Sequence, residues 1–304
     1  MDGILAIWKP EGWTSHDVVA KVRRLLGMKR VGHTGTLDPM VTGVLPLCLG
    51  RATRVVEYVQ ERPKSYTAVL KLGVATDTED LTGTIIEQQS SISVTEADVL
   101  DALQSFIGQI EQVPPMFSAV KIDGKRLYEL AREGKVVERN SRTVTIHQIE
   151  LLETKLELDQ PEITFSVLCS KGTYIRTLCV DLGKKLGVPA AMAKLTRTMS
   201  GGISEKSCLT LEQVAELQQA GALEQHLIAA DEAITHIAKF TIDADSAKKA
   251  LLGQKLRLTQ AFDEEHPMAY SNELIRLYGP NEAFLGIFEI DAEAKLLKPV
   301  KVFS

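Results

Sequence analysis

Two hydrophobic periods alternate along this chain, and their interleaving limits the architectures it can adopt. From Lys64 to Leu72 apolar and polar residues alternate, which puts Tyr66, Ala68, Leu70 and Leu72 on one face of a strand. Gly3 to Trp8 reads as a short buried strand closed by the turn Lys9-Pro10-Glu11-Gly12, and strand-like runs recur near 143–153 and 162–169. The helical period appears between them. Thr14 or Ser15 caps a helix with Val18, Val22, Leu25 and Leu26 on one side and Gly27 at its end. A second helix starts at Thr95, with Val99, Leu103, Phe106, Ile107 and Ile110 apolar, and Pro114-Pro115 is expected to stop it. Gly83-Thr84-Ile85-Ile86 is expected to pair with the Lys64–Leu72 strand after an acidic turn. Further helices follow Lys171–Arg176, on Leu178, Leu182 and Leu186, and run from Leu211 through Leu217. The fold class is therefore mixed α/β (α+β).

After about Lys239 the pattern changes to short strands, Phe240–Ile242, Lys255–Leu258 and Phe284–Phe288, with a helical patch at 245–252. A chain of 304 residues is long for one core. These features predict a large domain at 1–238 and a small β-rich one at 239–304. Hydrophobic residues make up 44% and charged residues 25%, enough for a sizeable core. No apolar run approaches the roughly 20 residues needed to cross a bilayer, and the first residues lack the order of a signal peptide, so a cytoplasmic location is expected. Cys48, Cys169, Cys179 and Cys208 show no C-x-x-C spacing and are read as small buried thiols, with neither metal nor disulfide.

Lysine and arginine number 35 against 40 acids, a net charge of −5 that argues against a wholly basic polyanion binder but leaves room for a local basic face. One basic cluster is Lys21, Arg23, Arg24, Lys29 and Arg30. Another spans 121–142, where Lys121, Lys125, Arg126, Arg132, Lys135, Arg139 and Arg142 face Asp123, Glu129, Glu133 and Glu138. Leu127, Tyr128 and Leu130 can support a short helix there but no independent core, so this reads as a basic protrusion.

The segment from Val31 to Gly43 gathers glycines, small hydroxyls, one histidine and one carboxylate. Pro39 restricts Asp38 to an extended backbone on a loop, which an ordinary Asx turn would also explain. A Walker phosphate loop is excluded, because neither Gly32 nor Gly35 is followed by the required lysine.

Gly32-His33-Thr34-Gly35-Thr36-Leu37-Asp38-Pro39 resembles the active-site motif of the TruB family, the bacterial tRNA pseudouridine-55 synthases. So do Trp8–Ser15, Lys64-Ser65-Tyr66, Pro114–Lys121 and Gly172-Thr173-Tyr174-Ile175-Arg176, in the family's order. The resemblance implies a pseudouridine-synthase core with a mixed, largely antiparallel sheet and a C-terminal PUA-like RNA-binding domain. It implies isomerisation of uridine in the T loop of tRNA by a cytoplasmic monomer, with no cofactor, metal or membrane. It makes Asp38 the catalytic residue and Arg176 its partner. Tyr66, Tyr174 and Leu195 would surround the target base, and His33 would take part in flipping it out. The expected RNA-facing set is Lys9, Lys21, Arg23, Arg24, Lys29, Arg30, Lys64, Lys121, Lys125, Arg126, Arg132, Lys171, Lys194 and Arg197.

The chemistry agrees with that assignment. The N1–C1′ bond must break, the uracil must turn, and C5 must join C1′, so the free base has to be trapped. An aspartate carboxyl is ordinarily ionised at neutral pH; it can attack C1′, attack C6 or remove the C2′ proton, and the sequence is compatible with all three. Burial would oppose its charge and a guanidinium would restore it. Each residue taken singly also has a plainer use: Tyr66 as a core aromatic, Arg176 as a surface ion pair, His33 as a loop histidine. A non-catalytic RNA chaperone, or modification of another RNA uridine, is the alternative.

Overall fold

The computed structural model describes residues 1–122, 124–258 and 273–304. Asp123 of the basic protrusion and residues 259–272 of the C-terminal segment lie outside the described residues. In chain order the first half contains β1 (Gly3–Lys9), α1 (Ser15–Leu26), β2 (Val31–His33), β3 (Thr42–Leu49), α2 (Val56–Glu61), β4 (Lys64–Leu72), β5 (Val74–Thr76), β6 (Ile85–Gln88), α3 (Glu96–Gln104) and β7 (Gly108–Gln112). Then come β8 (Lys121–Ile122), β9 (Lys125–Arg126), α4 (Leu127–Arg132), β10 (Arg142–Lys155), β11 (Glu162–Cys169), α5 (Ile175–Leu186), β12 (Ala190–Ser200), β13 (Ile203–Ser204) and α6 (Leu211–Gln219). The last stretch holds β14 (Ala238–Thr241), α7 (Ala244–Leu251), β15 (Leu256–Arg257), β16 (Leu274–Tyr278), β17 (Phe284–Asp291) and β18 (Leu296–Val302).

The main sheet runs β1-β3-β12-β4-β11-β10-β7, with β2 added to β3 and β13 to β12. Every pairing in it is antiparallel except β3 with β12, which meet in parallel where Thr42 faces Thr196 and Gly43 faces Arg197. The alternation of β4 has its expected consequence, because Ala68, Leu70 and Leu72 are buried in a core with α3 and α5. Strands β1 and β3 are covered on both sides. Leu5, Ile7, Leu45 and Leu47 pack toward α1 and α6, while Ile4, Ala6, Val44 and Cys48 pack toward α2. Burial on both faces makes β3 a continuous apolar run with no alternation to mark it as a strand.

Two expectations are corrected. The Ile85–Gln88 strand pairs with β5, and the neighbours of β4 are β11 and β12. Gly73, at φ +86°, ends β4 and turns the chain away from it, so the hairpin forms one segment later. The helix from Thr95 stops at Gln104, before Ile107 and Ile110. Gly108 adopts φ +107° and opens β7, in which Ile110 faces Val144 of β10. Pro114-Pro115 therefore follows a strand. An i, i+3, i+4 apolar series had continued across a helix–strand junction by coincidence of spacing.

The remaining strands form a five-stranded sheet, β14-β16-β17-β18-β15, with its own core around Phe240, Ala250, Leu277, Phe288 and Leu297. Ile287 of β17 points the other way, into the cluster built on Ile4, Val44, Val55 and Val59. Lys301 pairs with Glu57 of α2 at 2.8 Å, and the Arg51 guanidinium donates to the Phe303 carbonyl at 3.3 Å. The small sheet is thus joined to the large one by an apolar seam with polar edges.

The parallel junction brings two backbones unusually close. A Cβ at Gly43, which adopts φ +112°, would lie 2.2 Å from the Arg197 carbonyl oxygen. Gly43→Ala is expected to lower the unfolding free energy by about 3 kcal/mol or more, measured by urea titration, since strain and overlap act together. A loss under about 1 kcal/mol would show that the junction yields.

Candidate active site

The loop between β2 and β3 carries Asp38, and its neighbours are anchored from below. The Ser15 hydroxyl accepts from the Leu37 N–H at 2.8 Å and donates to the Leu37 carbonyl at 3.3 Å. On the other side of Asp38, the Pro39 carbonyl accepts from the Gly12 N–H at 2.9 Å and from the Lys9 ammonium at 3.0 Å. The same ammonium donates to Pro10 at 2.9 Å and to Trp13 at 2.5 Å. With the Val41 N–H on its own carbonyl at 3.0 Å, Asp38 is held between two fixed peptides while its side chain stays 49% exposed.

Its partner comes from the first turn of α5. Arg176 Nη2 lies 3.1 Å from Asp38 Oδ2, and the guanidinium is only 7% exposed. It also donates to the carbonyls of Thr78 at 2.9 Å and Phe117 at 2.8 Å, with Asp80 Oδ2 at 3.9 Å. Tyr174, which precedes α5, has both backbone groups held by the buried Gln112 amide, at 2.7 and 3.0 Å.

These elements enclose a pocket of about 330 Å³ that brings together Asp38, Tyr66, Tyr174, Arg176 and Leu195. Burial pushes the Tyr66 phenol above its ordinary range, and the nearby Arg197 guanidinium opposes that shift. The buried hydroxyls of Thr34 and Ser118, residues of the pocket wall, have no protein partner. His33 stands at the edge of the group. Its Nδ1 accepts the Gly35 N–H at 3.3 Å and its ring meets His16 edge-on at 5.4 Å between centroids. Burial lowers its pKa, helped by His16 and Arg197, so the neutral ring is favoured.

Three residues expected to face RNA point inward. Lys9 is fully buried on its three carbonyls. Lys64 is also buried, donating to the carbonyls of Gln60 and, at 2.7 Å, Arg62. Arg197, 1% exposed, donates to Val44 at 2.7 Å and to Gly35 at 3.1 Å, tying β3 to the Asp38 loop. Each of these cations is engaged by backbone carbonyls, which turns it away from a phosphate at the surface.

The others lie at the surface. Arg24, Lys29, Arg30, Lys121, Lys125, Arg126, Arg132, Lys171 and Lys194 are exposed, and Lys21 is partly so. Arg23 is exposed but donates to the Val31 carbonyl at 2.7 Å. Lys171 lines the pocket and pairs with Glu61. In the protrusion, Arg126 and Arg132 lie 5.8 and 5.4 Å from the Tyr128 ring centre, and Leu127 and Leu130 are buried under the short helix α4. Sequence reasoning missed Ser15, Gln112 and the Thr78–Asp80 turn. Only the acidic character of that turn was readable in advance.

Burial lowers the Lys9 and Lys64 ammoniums to about 8 from an ordinary value of 10.5. Between those values the unfolded chain binds protons that the folded chain has released, so each lysine favours folding more as pH rises from about 8 to about 10.5. The penalty for the buried charge is complete below about 8. Wild-type protein is therefore expected to gain stability relative to Lys9→Met between about pH 7 and about pH 10, in urea titrations at each pH. A constant difference would contradict the buried ammonium.

Among the described residues, no group of three or more His, Cys, Asp or Glu side chains is arranged to hold a metal ion, and no helix is long and apolar enough to cross a membrane. Residues 23–175 match the N-terminal domain of the TruB family pseudouridylate synthases, and 176–235 match the tRNA pseudouridylate synthase B C-terminal domain. The chain is 45% identical over 306 residues to tRNA pseudouridine synthase B of Geobacillus thermodenitrificans (strain NG80-2), covering 100% of both chains. It is 45% identical over 305 residues to tRNA pseudouridine synthase B of Bacillus subtilis (strain 168), covering 99% of this chain and 97% of the relative. A chain in a crystal structure of a Cbf5-Nop10-Gar1 complex superposes with a TM-score of 0.74 at 25% identity, over 99% of this chain and 85% of that one. The pocket built on Asp38, the α+β architecture of a pseudouridine synthase and full-length similarity agree: this chain belongs to the TruB family of pseudouridylate synthases.

Proposed function

We propose that this enzyme isomerises a uridine of tRNA to pseudouridine, that the target is position 55 in the T loop, and that Asp38 is its catalytic residue. The observation that carries the reading is the contact of Asp38 Oδ2 with a guanidinium fixed by two carbonyls, at the wall of a pocket lined by Tyr66 and Leu195. A carboxylate contacted by a guanidinium through one oxygen offers the other to the sugar or base. Tyr66 and Leu195 supply an apolar slot in which a detached uracil can turn without escaping. Extruding the base costs a few kcal/mol of lost stacking, which contacts in the pocket offset.

Affinity for the RNA comes from the exposed cations Lys21, Arg24, Lys29, Arg30, Lys121, Lys125, Arg126, Arg132, Lys171 and Lys194, with 121–142 closing over the T arm. His33, which does not line the pocket but precedes the pocket-lining Thr34, is read as assisting flipping, and Tyr174 as bordering the base. The domain division is read at 238/239, one residue into β14, and the separate core around Phe240, Leu277 and Phe288 on its C-terminal side supports that reading. The family boundary at 175/176 instead separates β4 from its main-sheet neighbour β12. The small domain is read as PUA-like and RNA-binding, and the protein as a cytoplasmic monomer.

RNA carrying tritium at uracil C5 separates catalysis from binding, because isomerisation releases the label. Asp38→Asn is expected to abolish release and to leave RNA binding within a few-fold, since shape is kept and charge removed. Turnover by that variant would remove Asp38 from the chemistry. If wild-type protein binds tRNA without release, the chaperone alternative holds, and mapping the product nucleotide distinguishes position 55 from another uridine. Replacing Arg24, Lys29 and Arg30 together by Gln should weaken binding and flatten its salt dependence, by up to about 0.7–0.9 in logarithmic slope per lost phosphate contact. Lys9→Met should leave that slope unchanged.

A further inference from the structure

We infer that Glu79 is a positioning residue for the proposed reaction: its carboxylate ties the turn between β5 and β6 to the first turn of α5 and so holds Arg176 against Asp38. The inference rests on the function proposed above. Glu79 Oε2 accepts the Thr177 hydroxyl at 2.6 Å, and Thr177 directly follows Arg176. The residues on either side of Glu79 both address the Arg176 guanidinium, Thr78 through its carbonyl at 2.9 Å and Asp80 through its carboxylate at 3.9 Å. The turn is fixed in turn to the main sheet, since the Glu79 carbonyl accepts the Met192 N–H of β12 at 3.0 Å.

Two costs at this position point to a use beyond packing. Glu79 adopts φ +66°, a conformation disfavoured for any residue with a side chain. Burial also pushes its carboxyl above the ordinary range, against the Thr177 hydroxyl and the Arg176 charge. Glycine would adopt that φ without strain and would bury no charge. The N-terminus of α5 explains the choice. Tyr174 provides no side-chain cap and the first turn has no acidic residue. Glu79 brings a negative charge and an acceptor to that end from the neighbouring turn. It does not line the pocket, so its influence passes through Thr177 and Arg176.

The test compares Glu79→Gly, Glu79→Gln, Thr177→Val and Thr177→Ser by tritium release, RNA Kd and thermal midpoint. Glu79→Gly relieves the backbone and removes the tether, so its midpoint should equal or exceed that of wild type while kcat falls about tenfold, with Kd unchanged. Thr177→Val, which cuts the tether from its other end, should reproduce the fall, and the double variant should be no worse than either single one. Glu79→Gln and Thr177→Ser keep an acceptor and a donor and should restore most of kcat. Wild-type kcat in a folded Glu79→Gly protein, or additive losses in the double variant, would overturn the inference. If Glu79→Gly fails to fold, normal kcat in Thr177→Val does so instead. Failure of wild-type protein to release tritium would refute the proposed function, a result separate from any difference among these variants.

Discussion

A guanidinium removed from water persists only where its donors find acceptors, and the fold meets that demand twice beside the pocket. Arg176 is served by carbonyls from the β5–β6 turn and from the segment before the protrusion, which leaves its outer edge for Asp38. Arg197 is served by Val44 and Gly35, which locks the parallel β3–β12 junction to the loop carrying Asp38. Elements from four parts of the chain are thereby fixed relative to a single carboxylate. Removing Arg176 would take the donor from two carbonyls and the cation from Asp38, and removing Arg197 would take the donor from the Val44 and Gly35 carbonyls, so each removal costs folding free energy.

The sequence made legible those features that depend on local rules. The Thr14 cap and Gly27 end of α1 are present, with a complete capping box and a left-handed Gly27. The pairing of Asp38 with Arg176 and the placement of Tyr66 and Leu195 beside them followed from the family resemblance, not from local rules, and the four residues lie around one pocket. What could not be read depends on pairing at a distance. Strand β3 lacks alternation because both its faces are covered, and β12 carries two bulges that break its period. The hairpin after Gly73 turned away from the strand it was expected to join.

The direction of a long cation is also invisible to sequence. Lys9, Lys64 and Arg197 share the composition signal of the basic clusters, yet their heads turn into the protein onto carbonyl oxygens. Turn geometry explains the difference. Lys9 is met by the Pro10 and Trp13 carbonyls on either side of the Glu11-Gly12 turn and by the Pro39 carbonyl from the Asp38 loop, whereas Arg24, Lys29 and Arg30 surround the end of α1 and are exposed. A basic residue in a turn-rich motif is thus a poor guide to phosphate contact until its backbone neighbours are known.

The inward cations bear on the proposed chemistry. Lys9, Lys64, Arg176 and Arg197 lie in or against the pocket wall, with Asp38 the one acidic residue among the pocket-lining groups. That arrangement favours negative charge in the pocket, and glycosidic cleavage creates it, because the departing uracil takes the bonding electrons. Groups already oriented by the fold need not reorganise as the charge develops, which is where preorganised electrostatics contributes most to rate. The cost of keeping these charges from water appears in the lowered pKa values of Lys9 and Lys64, both caused first by burial. The chain's 40 acids are no obstacle, since the field at the reacting base is set locally by these cations, by Lys171 at the pocket wall and by one carboxylate.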